Sequence, residues 1–233
     1  MKYILVVMLL CFSIQCTPLQ QVTNNLPDSG NTSNNQQKIV QGLKQALTIG
    51  TQNSTNKLSA VDGFFADAAI KILMPPEAQD VEKTLRRFGL GSLVDKTVLS
   101  LNRAAEDAAK SATPIFVNAI KQMTITDALG ILRGGDFAAT NYFKQKTTDA
   151  LTQAFSPVIS KSLNKVDATK YWSDVFTAYN RFSTKKVETN LTAYVTQKAI
   201  DGIFYEVGLE EQKIRKDPAA RVTDLLKQVF GNQ

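Results

Sequence analysis

Apolar residues fall into three regimes along this chain. Tyr3 to Phe12 is an unbroken apolar run of about ten residues. Residues 17–37 (TPLQQVTNNLPDSGNTSNNQQ) hold few apolar side chains among Asn, Gln, Ser, Thr and Pro. From Lys38 onward apolar residues recur every three or four positions, the period of a helix with one buried face.

The first helix is expected from Lys38 on Ile39, Val40, Leu43, Ala46 and Leu47. It continues weakly through Leu58 and Val61 and stops at Gly63. Ala66 to Met74 is the one apolar segment that does not read as helix. Pro75-Pro76 closes it, and Pro76 suits the first turn of a helix over about 76–88 that ends at Gly89. Ser92 is placed to cap a long helix reaching about residue 112. Its stripe is Val94, Val98, Leu101, Ala105, Ala108 and Ala112, whose alanines permit close packing. Thr113-Pro114 opens a helix ending near Met123. Thr124 and Asp127 have the spacing of a capping box, with Asp in place of Glu or Gln, and the short helix behind them stops at Gly134-Gly135.

Asp136 is placed to cap a helix from Phe137 that breaks or kinks at Pro157. Asp167 precedes a helix with Trp172, Val175, Phe176, Tyr179 and Phe182 on one face. Between Leu191 and Val207 the apolar residues surround the axis, which predicts a central, buried helix interrupted at Gly208. Asp217-Pro218 introduces a last helix carrying Val222, Leu225, Leu226, Val229 and Phe230. The expected fold is all-α, an irregular multi-helix bundle of roughly eight to ten helices in a single domain.

The N-terminal run has the length of a signal-peptide core, and Lys2 gives it a positive start. It is too short to span a bilayer, and no later segment approaches the ~20 apolar residues a spanning helix needs. The chain therefore divides into a signal peptide over 1–15, a flexible tether over 16–37 and a helical domain over 38–233. Both cysteines, Cys11 and Cys16, lie at this end. Cleavage would leave Cys16 as the first residue, ahead of a polar stretch, which looks like the acylation site of a bacterial lipoprotein. Ser13, Ile14 and Gln15 depart from the residues that usually precede such a site, so ordinary cleavage and an uncleaved anchor stay open as alternatives. A tether of this length reaches ~25 Å.

Charge changes this picture little. The chain has 27 basic and 21 acidic residues, and losing Lys2 with the signal leaves a net charge of +5. A mildly basic surface suits an anionic lipid or polymer, or reflects solvated helix faces. No basic run resembles a nucleic-acid tract, so no nucleic-acid partner is expected.

The chemistry is limited by what the composition lacks. The chain has no histidine, and its cysteines lie only at 11 and 16. That excludes Ser-His-Asp and Cys-His catalysis, histidine bases and the usual zinc sites. No metal, cofactor or catalytic residue is expected. What remains are carboxylates and arginines. Asn102, Arg103 and Glu106 (NRAAE) lie beside the alanine stripe, and Glu210, Glu211 and Arg215 (EEQKIR) are similarly spaced near the other end. Such groups form structural ion pairs between helices, a polar cleft for a charged ligand, or a paired-carboxylate acid–base site. The structural alternative is preferred. Arg133-Gly134-Gly135-Asp136 is either a helix stop followed by a cap or an anion site on the next helix.

Several segments in fixed order carry a resemblance: DGFF at 62–65, NRAAEDAA at 102–109, MTITDALGILRGG at 123–135, DFAATNYF at 136–143, YVTQKAIDGIF at 194–204, EEQKIRKDPAAR at 210–221 and VFG at 229–231. Together they resemble the bacterial domain-of-unknown-function family 4197 over about residues 40–231. Met74-Pro75-Pro76 stands where members often have a simpler Leu-Pro. The resemblance implies an exported, helical, lipoprotein-like single domain and carries no catalytic or ligand residue with it.

The functional expectation is a module of the cell envelope, lipid-anchored to a membrane and facing the periplasm, or secreted to the periplasm. It would bind another protein or an envelope lipid. The alternatives are a carrier or sensor of an apolar ligand inside the bundle and, further off, an enzyme using Arg and carboxylate groups.

Overall fold

A computed structural model describes residues 29–165 and 190–221, with positions 172, 177, 180, 181, 224 and 227. Among the described residues the regular structure is helical, with no strand. Seven α-helices are delimited: α1 (Ser29–Ser59), α2 (Gln79–Arg87), α3 (Gly91–Ala109), α4 (Ala112–Gln122), α5 (Ile125–Arg133), α6 (Ala138–Asn164) and α7 (Leu191–Lys216). Short 3-10 turns at Pro76–Ala78 and Pro218–Ala220 precede α2 and follow α7.

Local chemistry sets several boundaries as the sequence indicates. Thr124 and Asp127 form a reciprocal capping box at the start of α5. Asp217 accepts the Ala219 N–H at 2.8 Å beside Pro218. Gly89 takes φ +77°, with its N–H on Arg86 C=O and the Leu90 N–H on Leu85 C=O. That pair of bonds is a Schellman stop, and a side chain at Gly89 would strain it.

Other boundaries differ from expectation. Among the described residues the count is seven rather than eight to ten: two expected breaks do not exist, and two expected helices lie largely outside those residues. Helix α6 runs through Pro157, which sits on its exposed face, where water can take up the Gln153 carbonyl that loses its donor. Helix α7 runs through Gly208 to Lys216. The expected helices after Asp167 and after Asp217-Pro218 lie largely outside the described residues, although Trp172 is buried. Ser92 caps nothing; α3 starts one residue earlier, with Leu90 in the cap position. Asp136 is not the cap of α6 either, and instead pairs with Lys216 at 2.7 Å. Helix α1 already begins at Ser29, within the stretch read as tether. Extending a packed helix by a residue is far cheaper than nucleating one.

Helices α3, α6 and α7 pack on one another at the centre, α1 and α4 close one side, and α2 and α5 lie at the periphery. Val94, Val98, Leu101, Ala105, Ala108 and Ala112 are all buried, and the small side chains let α6 come close to α3. Phe116 stacks edge-on against Phe143 and Phe204, with centroids 5.2 and 6.2 Å apart. Between α1 and α2 the chain makes turns and then an extended run, and that loop is anchored through Phe64. Phe64 is fully buried, and a Cβ on Gly202 would lie 2.5 Å from its Cε1. Helix α7 therefore needs a residue without a side chain at position 202.

Candidate functional site

The two charged motifs do not converge on one cleft. Asn102, Arg103 and Glu106 on α3 hold the 60–75 loop. The Asn102 side chain is fully buried and mimics a neighbouring strand. Its Oδ1 accepts the Ile72 N–H at 2.9 Å, and its Nδ2 donates to Ile72 C=O at 2.8 Å and Val98 C=O at 2.7 Å. Glu106 Oε1 accepts the consecutive N–H groups of Phe64 and Phe65 at 3.1 and 3.3 Å. Its Oε2 accepts from Arg103 at 2.6 Å, and Arg103 also reaches Asp62 at 2.7 Å. Bonds to Glu106 first, then to Asp62, push the Arg103 guanidinium above its usual range.

Glu211 and Arg215 on α7 repeat the arrangement at the α5–α6 junction. Glu211 accepts the N–H groups of Ala139 and Thr140, each at 2.9 Å, and the Thr140 hydroxyl at 2.8 Å. Arg215 gives Oε1 two more bonds, at 3.0 and 2.9 Å. Glu211 thus caps α6 from another helix, which explains why Asp136 is not needed there. Arg215 also donates to Ile131 C=O at 2.7 Å, the last turn of α5. Glu210 stands apart, bonded to Asn53 of α1 at 3.0 Å and to Lys213 at 2.7 Å.

Chemically, these carboxylates are occupied. Glu211 receives five donors against the roughly four lone-pair sites a carboxylate offers. A general base needs a lone pair aimed at a substrate, and this one has none to spare. The void beside Glu211 and Arg215 has a volume of about 20 Å³, room for nothing larger than a water. Among the described residues no group of three or more Asp, Glu, His or Cys is placed to hold a metal ion, and no single helix is long and apolar enough to cross a membrane.

A third buried carboxylate escaped the sequence reading. Glu206 is 3% exposed and accepts from Lys57 at 2.7 Å, and Lys57 reaches Asp67 at 3.2 Å. The bond it donates to Glu206 outweighs burial and raises the Lys57 ammonium above its usual range. A carboxylate within the apolar run of α7 was the available signal. Cys16 lies outside the described residues.

Two open grooves flank the outward face of α7. The first, about 420 Å³, runs between residues 69–74 and the α7 side chains Tyr194, Lys198, Asp201 and Tyr205. Tyr194 donates its hydroxyl to Leu73 C=O at 3.1 Å, and burial, with Glu77 nearby, holds that hydroxyl above the usual tyrosine range. The second, about 680 Å³, lies on the other side of Asp201 and Tyr205, against Phe137, Lys144 and Leu209. Phe137, Tyr205 and Leu209 are 46, 44 and 38% exposed, an apolar surface shared by α7 and the start of α6. The inward side chains of the same helix, Val195, Ala199, Ile200 and Ile203, are packed into the core.

No curated protein and no solved structure matches this chain. The profile of one family, described as "Protein of unknown function (DUF4197)", matches residues 33–231, from within α1 to beyond α7. Its span takes in both backbone clamps and both grooves, and the chain belongs to that family.

Proposed function

We propose that this protein is a binding module of the bacterial cell envelope, held to a membrane by acylation of Cys16 and facing the periplasm, which engages a protein or other envelope component through the outward face of α7. The observation that carries this reading is the pair of open grooves sharing Asp201 and Tyr205, beside the exposed Phe137 and Leu209. The void against the core residues Leu43, Ala46 and Ile131 is about 20 Å³, which gives an acyl chain no room there and speaks against a carrier with its ligand inside the bundle. The Arg–carboxylate groups are spent on backbone donors, which speaks against an enzyme built on them.

The test is a native pull-down from detergent-solubilised envelope, with bound proteins and lipids both identified, for wild type and for Tyr205→Glu/Leu209→Glu. A component retained by wild type and lost by the variant, with melting midpoints alike, supports the reading. Identical recovery by both proteins defeats the α7 face as the binding surface.

A further inference from the structure

The turn between α2 and α3 aims its apolar side chains at solvent. Phe88, Leu90 and Leu93 are 78, 47 and 54% exposed, and only their neighbour Val94 joins the core. Single exposed apolar residues are ordinary, but three within six positions of one turn form a patch. The turn is also fixed in shape. Gly89 makes its Schellman stop, and Arg86 bridges Glu82 of α2 and Asp95 of α3 at 3.0 and 2.9 Å. Asp80 is taken up by Lys83 at 3.4 Å. Those pairs occupy the three nearby carboxylates. Arg87 and Lys96, on either side of the patch, have no carboxylate partner among the described residues.

The place of this turn in the molecule follows from the contacts of α7. Lys57 meets Glu206, Asn53 meets Glu210, and Gly50 lies beside Ile214, so α1 runs antiparallel to α7. The start of α1 therefore lies beyond the C-terminal end of α7. Asn102 and Tyr194 bond the adjacent residues Ile72 and Leu73, while Glu106 bonds Phe64 beside Gly202. Helix α3 therefore starts beyond the N-terminal end of α7. The apolar turn and the start of α1, which leads back to Cys16, stand at opposite ends.

We propose that the α2–α3 turn is a second membrane contact, placing Phe88, Leu90 and Leu93 in the interface of an anionic bilayer while Arg87 and Lys96 meet its phosphates. An apolar tip between unpaired cations matches the layers of such a surface. Acyl chains accept the apolar side chains, and headgroups accept cations carried on long flexible stems. With the anchor at one end and the turn at the other, the domain lies along the membrane instead of standing off on its tether. This inference rests on the proposed membrane attachment and makes no use of the α7 grooves.

The test is tryptophan fluorescence of full-length Phe88→Trp, reconstituted by detergent removal into vesicles of phosphatidylethanolamine and phosphatidylglycerol with brominated acyl chains. The only tryptophan of the chain, Trp172, is buried, so the unsubstituted protein gives the background. A blue shift and quenching beyond that background are expected. Most of the quenching should be lost in phosphatidylcholine vesicles, and also when Arg87→Glu and Lys96→Glu are added to Phe88→Trp. If Phe88→Trp does not fold, Leu93→Trp serves as the reporter. No quenching beyond background overturns the proposal, as does quenching indifferent to both the headgroup and the two reversed cations. A protein that still floats with the vesicles while unquenched leaves the anchor standing and removes only the second contact. An unquenched reporter, with a protein lost from the envelope pull-down in Phe88→Ser/Leu93→Ser, also overturns the proposal and assigns the turn to a protein partner.

Discussion

Glu106 and Glu211 each take two consecutive backbone N–H groups from a distant segment, and each is backed by an arginine, three residues before Glu106 and four after Glu211. The two arginines differ in exposure, and that sets their worth. The Arg215 side chain is 10% exposed and bonds both Glu211 and Ile131 C=O, whereas Arg103 is 36% exposed. Breaking a buried pair costs roughly 3–5 kcal/mol, and an exposed pair is worth under about 1. At ~2–4 °C per kcal/mol for a domain of this size, Arg215→Ala should lower the melting midpoint by about 6 °C or more. Arg103→Ala should lower it by less, since water can replace much of what is removed. Thermal melts of the two purified variants beside wild type give the order, and unchanged midpoints in both would free these residues for a ligand role. The spacing of NRAAE and EEQKIR made the groups visible in the sequence. Their partners were not visible, because Phe64 lies 42 residues from Glu106 and Ala139 lies 72 from Glu211. Backbone N–H groups leave no trace in residue type, so side-chain patterns cannot reveal which of them a carboxylate will serve.

At the scale of elements, the sequence was most informative where the signal is local. The capping box at Thr124, the stop at Gly89 and the alanine stripe of α3 all stand where residue type places them. It misled where tertiary packing overrides local preference, at Pro157 and Gly208. Pro157 in the interior of α6 should still be a net liability. Proline is about 3 kcal/mol less favourable than alanine there, offset in part by the freedom alanine adds to the unfolded chain. Pro157→Ala is expected to raise the melting midpoint by several degrees. Gly202→Ala should act in the opposite direction. Helix propensity favours alanine by about 1 kcal/mol, but the added Cβ would meet the fully buried Phe64 ring at 2.5 Å, and such overpacking costs typically about 1–3 kcal/mol. A net loss of stability is expected, and a companion Phe64→Leu should recover part of it. A rise in the midpoint for Gly202→Ala alone would show that the ring has another place to go.

For the molecule as a whole, the absence of histidine shapes the response to pH. The groups that folding perturbs titrate at the extremes. Bonds from Lys110 lower Asp107, and the Thr124 hydroxyl and N–H lower Asp127. Asp67 is raised by burial but brought lower overall by the Ala69 N–H and Lys57. A carboxylate lowered in the folded state stabilises above its unfolded value, about 3.9, and loses that contribution as pH falls through the folded value. Lys57 is raised, so its contribution is complete below about 10.4 and disappears as pH rises through its folded value. The melting midpoint should therefore be flat from about pH 5 to 9 and fall below about pH 4. A step near pH 6.5 would contradict this. At the same scale, Cys16→Ser should abolish incorporation of a labelled fatty acid and move the protein to the soluble fraction, and equal labelling of both proteins would end the proposed anchoring.

The seat of Phe64 also dictates an order of events. It is assembled from Glu106 in the middle of the chain and Gly202 near its end, so the loop carrying Phe64 has nowhere to settle until α7 exists. Contacts this distant in sequence form late, because a long loop must close first. In a nascent chain, emerging N-terminus first, the loop carrying Phe64 therefore settles only once α7 has arrived. Helix α7 then acts as the latch that fixes the Phe64 loop in a finished domain.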